Sequence, residues 1–372
     1  MGLSRVLLVI TFLFAVAGLI GIFRHRTVTT ATVIDGYGLG VATPMLAVVV
    51  MMGTGVFRAA TALHAIYLLL TVTVPFVSLG IVVKLIRTDR VNRPPRLLMA
   101  MPAVAILAAP VGLYASHIEP RWLRVDEVTL ETHVNTPIRI GVLADVQSPT
   151  VGEWQEHVID ELIAGNPDFV LVAGDIWETP TRDLDPSDRE PFDALIRRLV
   201  AAVGDVYIVE GDHDRFWDLR DLAEAAGAHL VLDEVVEIEV RGQRVAIGGL
   251  AVGDKGPWRA RAIAELDSRN QSDTLTILLA HRPDVINDMD DDQHVDLIVA
   301  GHTHGGQVVL PFLGPLVYYP EIPRSVTVGG LHEIDGRPIY VSTGAGVRSN
   351  TAPQVRFGSR PSIGFIDVVP AP

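Results

Sequence analysis

The chain has no cysteine among its 372 residues. Disulfides and thiolate metal sites are excluded, and the redox compartment cannot be read from cysteine usage. Basic residues are the minority: 30 Lys and Arg stand against 44 Asp and Glu, a formal net charge of −14. Such a surface repels phosphate backbones, so nucleic acid is a poor default partner. Charge of either sign is scarce before about Ser116, and what there is there is mostly basic. The remainder is therefore more acidic than the total indicates. Hydrophobic residues make up 49% and mean hydropathy is +0.33, high for a soluble protein, and this excess is concentrated in the same N-terminal part.

Four segments there carry no charged residue: 6–23, 36–57, 59–83 and 97–116, with His64 the one ionisable group of the third. Each is long enough to cross a hydrocarbon core as a helix of about 20 residues. Four in succession with short polar joints read as membrane spans, not buried core helices. The joint between the third and fourth carries Lys84, Arg87, Arg90, Arg93 and Arg96 against Asp89, which predicts a cytoplasmic side. Parity puts Arg24 and Arg26 on that side and everything after Ser116 on the extracytoplasmic side. A rival reading makes the first segment a cleaved signal peptide ending near Ala15-Val16-Ala17, but that parity puts the five-cation joint outside. His64 is either a functional intramembrane group or an ordinary histidine near the interface.

The organisation expected is a membrane module over 1–118, a connector over 119–136 with a short strand at 127–132, and a second domain over 137–372. In that domain apolar runs alternate with helical spacing: strands near 138–144, 169–173 and 206–209, helices near 153–164, 189–203 and 219–226. Strand-rich chain follows at 230–240, 245–250, 275–279, 296–300 and 339–342. This order predicts a layered α/β sandwich with a mixed sheet.

An acid or histidine recurs at the C-terminal ends of these strands: Asp145, Asp175, Asp212-His213, His281, and His302 with His304 in Gly301-His-Thr-His. One such Asp is usually a turn residue or a helix cap. Five such ends in one domain are hard to explain as capping. In a strand, positions i and i+2 point the same way, so His302 and His304 are expected to aim past a strand end, with Gly301 permitting a sharp turn. Carboxylates and imidazoles without thiolates suit Mn, Fe, Zn or Co. The ligands suffice for two ions, the arrangement that clamps an in-line displacement at phosphorus.

The ordered blocks Asp145-Val-Gln147, Gly174-Asp175, Gly211-Asp-His-Asp214, Ala280-His281 and Gly301-His-Thr-His304 resemble the calcineurin-like metallophosphoesterase family. Leu278-Leu-Ala-His-Arg-Pro-Asp284 and Gly301-His-Thr-His-Gly-Gly-Gln307 are similar to its bacterial YkuE/YaeI-like branch. The resemblance covers about 137–368 and leaves out the membrane module. It implies a four-layer α/β/β/α sandwich, here preceded by a bundle of four transmembrane helices. It also implies two divalent ions: Asp145, Asp175, His304 and position 147 hold the first, Asp175 bridges, and Asp212, His281 and His302 hold the second. A water or hydroxide between the ions would attack phosphorus, and His213 would be the catalytic residue that contacts the phosphate and serves as general acid.

Two residues depart from the family pattern. Gln147 replaces a histidine and offers a harder, weaker donor. Asp212 replaces an asparagine and adds a negative charge, and the two changes are expected to offset each other in metal affinity. Asp214 either orients His213 or is a solvated turn carboxylate. Arg348 and Arg356 either meet a substrate phosphate or form surface salt bridges. Trp154, Trp177, Trp217 and Trp258 line a substrate mouth or pack in the core and rim. Asp290-Asp-Asp292 is a solvated loop or a further cation site, and Gly344 and Gly346 allow a tight turn.

The expected protein is thus a membrane-anchored phosphoesterase acting on a phosphomonoester or phosphodiester. Anchoring favours lipid-linked or cell-envelope substrates. Similarity to hydrolases of UDP-diacylglucosamine is weaker, because those act on the cytoplasmic side. The alternative is a metal-binding sensor or scaffold with degraded catalysis. A transporter is disfavoured because the membrane segments carry almost no ionisable groups.

Overall fold

A computed structural model of the chain describes residues 3–26, 28–55, 59–87, 96–178, 186–214, 219–253, 256–319, 321–347 and 353–372. Arg90, Arg93, Trp217 and Arg348 lie outside these residues. The chain divides into two compact units, one of residues 1–118 with 351–354, the other of 119–350 with 355–372.

The first unit is helical. Among the described residues, four helices are long and apolar enough to cross a membrane: Arg5–Phe23, Thr30–Gly53, Thr61–Ile86 and Pro102–Arg121. The second starts six residues before the uncharged stretch, because Thr29 and Thr32 form a reciprocal capping box ahead of Asp35. Asp35 in turn pairs with Arg24 and His25.

Among the described residues the second unit holds fourteen strands: β1 Arg124–Thr132, β2 Ile138–Leu143, β3 Phe169–Val172, β4 Val206–Ile208, β5 His229–Leu230, β6 Glu234–Val240, β7 Gln243–Gly249, β8 Thr274–Leu279, β9 Leu297–Ala300, β10 Val309–Leu310, β11 Gly314–Pro315, β12 Gly330–Ile334, β13 Arg337–Val341 and β14 Ser362–Pro370. They form two six-stranded sheets, ordered β1-β14-β2-β3-β4-β5 and β12-β13-β9-β8-β7-β6, and a small β10–β11 hairpin. Strands β2 to β5 run parallel in one sheet, and β7, β8, β9 and β13 in the other. The edge strand β1 is longer than expected, and β14, which sits between β1 and β2, is a strand the apolar patterning did not single out.

Alternation along the strands explains the layering. Ile140, Val142, Phe169, Leu171 and Tyr207 of one sheet and Leu275, Ile277, Leu297 and Val299 of the other share one core between the sheets. Their neighbours Val170, Val172 and Ile208 face helices Glu153–Ala164, Pro186–Val203 and Leu219–Ala226. Leu278 and Ile298 face helix Pro257–Ser268. Both faces of each central strand are thus covered, as continuous apolar runs require. Each buried aliphatic side chain contributes roughly 1.5–3 kcal/mol. The outcome is an α/β/β/α sandwich. Because the central strands of each sheet are parallel, their C-terminal ends collect at one edge, where an open α/β sheet places its ligands.

Candidate metal centre

Every predicted site residue follows a strand at such an edge. Asp145 and Gln147 follow β2, Asp175 follows β3, and Asp212 and His213 follow β4. His281 follows β8, and His302 and His304 follow β9. Asp145, Gln147, Asp175, His281 and His304 are buried. Five of these residues leave their strands with left-handed backbone: Asp145 at φ 47°, Gln147 at 34°, Asp175 at 56°, His302 at 70° and His304 at 48°. Such conformations are uncommon outside glycine and cluster at functional sites.

The two histidines do not point as strand alternation predicts. His302 Nδ1 lies 3.1 Å from Asp212 Oδ2 and 3.1 Å from His281 Nε2, whereas His304 Nε2 lies 3.6 Å from Asp145 Oδ1. They therefore serve different ends of the centre, directed by the backbone torsions. Gly301 is not left-handed; its role is clearance, since a Cβ there would come 2.7 Å from Asp145 Oδ2. Gly344 does turn through a left-handed φ of 73°, and a Cβ there would come 2.5 Å from Asp145 Cβ.

Ligand-type atoms of Asp212, His281 and His302 lie within 4.8 Å of one another, as do those of Asp145, Asp175 and His281. His281 belongs to both groups. Its Nδ1 donates to the Ala173 carbonyl at 2.8 Å, which leaves Nε2 facing Asp175 Oδ2 at 3.3 Å. A histidine held this way by a backbone carbonyl presents its other nitrogen as a ligand. Asp175 Oδ1 accepts the His213 N–H at 2.7 Å, and Asp145 Oδ2 accepts the His302 N–H at 2.8 Å. Gln147 turns its amide Nε2 onto Asp175 Oδ2, at 2.5 Å.

The residues fit cations. Among the described residues, none donates a hydrogen bond to the buried Asp145 Oδ1 or Gln147 Oε1. Buried acceptors of this kind beside carboxylates are stabilised by a positive charge. Protonation tells the same story. Burial pushes the Asp145 carboxyl up to about 7. Burial opposes a charged His281, but the carboxylates of Asp175 and Asp145 outweigh it and raise the imidazole to about 10. Asp175 ends below its ordinary value, because His281 and the His213 N–H outweigh its desolvation.

Arg282, absent from the predicted site, grips Asp212 with both arms: Nε to Oδ2 at 3.0 Å and Nη2 to Oδ1 at 2.5 Å. The extra charge that Asp212 carries relative to the family's asparagine is thus met by a guanidinium. The signal was present in Leu278-Leu-Ala-His-Arg-Pro-Asp284, but no sequence spacing pairs residues 70 apart. Tyr319 was also missed; its ring lies 4.6 Å from that of His302.

Other expectations are revised. Asp214 is not solvated. It is fully buried and accepts the backbone N–H groups of Asp175 at 2.6 Å, Ile176 at 3.0 Å and Gly211 at 3.0 Å. It therefore tethers the Asp175 loop to the turn after β4. Arg356 makes no salt bridge with a described residue and does not lie on the surface. It is fully buried, and its guanidinium donates to the carbonyls of Thr343, Gly344, Gly346, Ser359 and His304. Trp177 is core, stacked on Phe192 at 5.4 Å, and Trp154 is half-buried with Nε1 donating to the Ala345 carbonyl at 3.0 Å. Trp258 is exposed, as is the Asp290–Asp292 loop.

Residues 138–306 match the Calcineurin-like phosphoesterase family. A putative metallophosphoesterase of Caenorhabditis elegans is 30% identical over 268 residues, 67% of this chain and 52% of that protein, so this chain spans about half the length of that relative. The Bacillus subtilis metallophosphoesterase YkoQ is 28% identical over 274 residues, 71% of this chain and 97% of YkoQ. YkuE from the same organism is 27% identical over 278 residues, 71% of this chain and 92% of YkuE. A solved dimetal phosphatase from Danio rerio aligns with 56% of this chain and 88% of its own at 14% identity and a TM-score of 0.35, which adds nothing to the family assignment. Residues 138–306 are thus similar to calcineurin-like phosphoesterase domains, and the similarity to proteins named metallophosphoesterases extends beyond them.

Proposed function

We propose that this protein is a membrane-anchored phosphoesterase that uses two divalent metal ions to hydrolyse a phosphomonoester or phosphodiester, with lipid-linked and cell-envelope phosphates as the favoured substrates. The observation that carries the reading is the pair of ligand groups sharing His281. Asp145, Gln147, Asp175 and His304 would hold one ion, Asp212, His281 and His302 the other, with Asp175 between them. Two such ions supply an activated water and charge neutralisation at the phosphoryl group. The chain's own part is orientation. Ala173 fixes the His281 tautomer, the His213 N–H and Gln147 fix the two oxygens of Asp175, and Asp214 fixes the loop that carries it. His213, half-exposed in the turn after β4, would protonate a leaving oxygen. Four long apolar helices support anchoring, and the basic joint at residues 84–96 supports a cytoplasmic side for that joint and an extracytoplasmic phosphoesterase domain.

The test is metal analysis of the purified full chain, with Mn, Fe and Zn offered, alongside a phosphoester panel. Turnover abolished by His213→Ala with metals retained supports this reading. One observation favours a second: both oxygens of Asp212 are engaged by Arg282, which competes with an ion there. A metal-binding scaffold follows if ions bind and no substrate turns over with any metal. Fusion of a reporter after Pro372 reads the topology, and a cytoplasmic signal reverses the orientation.

A further inference from the structure

Sixteen residues between His304 and Glu321 carry no charged side chain. They include the β10–β11 hairpin, whose strands pair Val309 with Pro315 and Leu310 with Gly314. The hairpin turns its apolar residues outward. Phe312 is fully exposed at 108%, and Leu313, Leu316, Val317 and Tyr318 are all exposed as well. Phe312 also sits at φ 67°, where a bulky residue is strained, so a fully solvated phenyl ring is held out on a disfavoured backbone. Soluble surfaces scatter single apolar residues; a contiguous set on one protrusion marks an interaction site.

The hairpin is rooted on the metal centre at both ends. Its first strand begins five residues after His304. Its return leads to Tyr319, whose ring lies against His302 and whose hydroxyl reaches the His302 carbonyl at 3.5 Å. Arg324 staples the base, donating to the Pro315 carbonyl and lying 4.8 Å from the Tyr318 ring centroid. A cavity of about 180 Å³ opens at the root, lined by Arg282, Pro283, Asp284, His302, Tyr319 and Glu321.

We propose that this hairpin is a membrane-interface loop: its tip, from Phe312 to Val317, enters the bilayer surface and brings the metal centre to phosphoesters carried on lipids. The proposal rests on the membrane-anchored reading above. The occupant follows from the chain. The fourth candidate span ends at Arg121 and β1 begins at Arg124, so the domain is tethered to that span by a few residues of at most about 3.5 Å each. An apolar tip backed by tyrosines and an arginine is the composition that settles at the water–lipid boundary, where aromatic rings and long cations sit at headgroup level. The cavity between Arg282 and Tyr319 then takes the headgroup, while the acyl chains stay beside Phe312 and Leu313.

The absence of cysteine provides the test, since one introduced thiol is a unique label. The full chain carrying Phe312→Cys, modified with an environment-sensitive fluorophore, is reconstituted in phosphatidylcholine–phosphatidylglycerol vesicles. Ser272→Cys is the control, exposed just before β8 and so at the opposite end of that strand from His281. The expected result is blue-shifted emission at 312 and about twofold or stronger quenching by spin-labelled lipid relative to 272, because an interfacial group sits about 5–10 Å deep. Emission at 312 that matches the control overturns the proposal. A blue shift without lipid quenching also overturns it, because the tip is then covered by protein, its own or a second copy. Leu313→Cys repeats the measurement at a second site. The label reads contact without turnover, so a protein inactive on every phosphoester but quenched at 312 would refute the enzyme reading alone. An active protein with an aqueous tip would refute the loop alone.

Discussion

The two sheets bring opposite chemistry to the centre. Strands β2, β3 and β4 deliver Asp145, Gln147, Asp175 and Asp212, whereas β8 and β9 deliver His281, His302 and His304. Each half is oriented by the backbone of the other. The β9 loop gives the His302 N–H to Asp145, and β3 gives the Ala173 carbonyl to His281. The centre therefore exists only when the sheets are packed together, and its geometry is a property of the sandwich. The halves also differ in how closely they follow the family pattern that the sequence resembles. The histidine half matches fully, while both departures, Gln147 and Asp212, lie in the acid half. There each departure has a partner: Gln147 turns its amide onto Asp175, and Arg282 clamps Asp212.

The largest blow to this division is His281→Ala, which removes the one residue shared by both ligand groups. It leaves Asp145 and Asp175 buried without their counter-charge, a loss of about 3–5 kcal/mol for breaking a buried pair. Melting in EDTA should register that loss, and metal analysis should show the second ion depleted; full occupancy of both ions would mean that His281 is not a ligand. Arg356→Gln comes next. It strips carbonyls around Gly344 and His304 of buried donors at about 1–3 kcal/mol each, so a net cost of about 3 kcal/mol is expected by chemical denaturation.

Proton competition sharpens the comparison, because one proposed ligand in each half is shifted upward. Asp145 is raised from 3.8 to about 7 and His281 from 6.5 to about 10. In metal-free protein, the contribution of Asp145 is full below pH 3.8 and lost as pH rises through about 7, and that of His281 is full below pH 6.5 and lost through about 10. Asp175, shifted downward, acts oppositely: its contribution is present above 3.8 and lost as pH falls. Thermal melts in EDTA should therefore drop from pH 5 towards pH 9. Metal affinity should rise over the same range with proton release, seen as a buffer-dependent enthalpy in calorimetry. Melts that rise with pH in EDTA would contradict these shifts.

Within the acid half, Arg282→Ala and Asp212→Asn test the clamp. The Arg282 side chain is 45% exposed, so the pair itself is worth about 1 kcal/mol or less. A double-mutant cycle on stability should return a coupling of that size. Arg282→Ala alone should tighten the second ion by freeing Asp212. A further effect belongs to Gln147→His, which should raise affinity for the first ion by about tenfold, the lower end of what changes around a metal produce. Equal metal content in both forms would mean that Gln147 is not a ligand.

Strand existence and most of the site were legible because they are local. Continuous apolar runs ending in an acid or histidine identified β2, β3, β4, β8 and β9 and every residue proposed to bind metal except Gln147, which entered through the family resemblance. β14 was missed because Gly364 and Asp367 interrupt its apolar run, and only its place between β1 and β2 makes it interior. Arg356 was misread for a similar reason. An arginine in a loop is usually solvated, and its burial depends on the loops after β9 and β13 converging on it.

The sequence by itself determined the inventory: four apolar spans, a cysteine-free set of oxygen and nitrogen ligands, their order along the chain, and the two departures from the family pattern. Periodicity and residue chemistry are carried by neighbours in the chain, so these needed no coordinates. The tertiary structure decided which histidine meets which carboxylate, that Asp214 is a buried tether, that Arg282 neutralises Asp212, and that the apolar stretch after His304 faces outward. Those outcomes depend on left-handed torsions and on contacts between residues up to 157 positions apart, such as His302 with Asp145. Such contacts form only when the two sheets close on a common core.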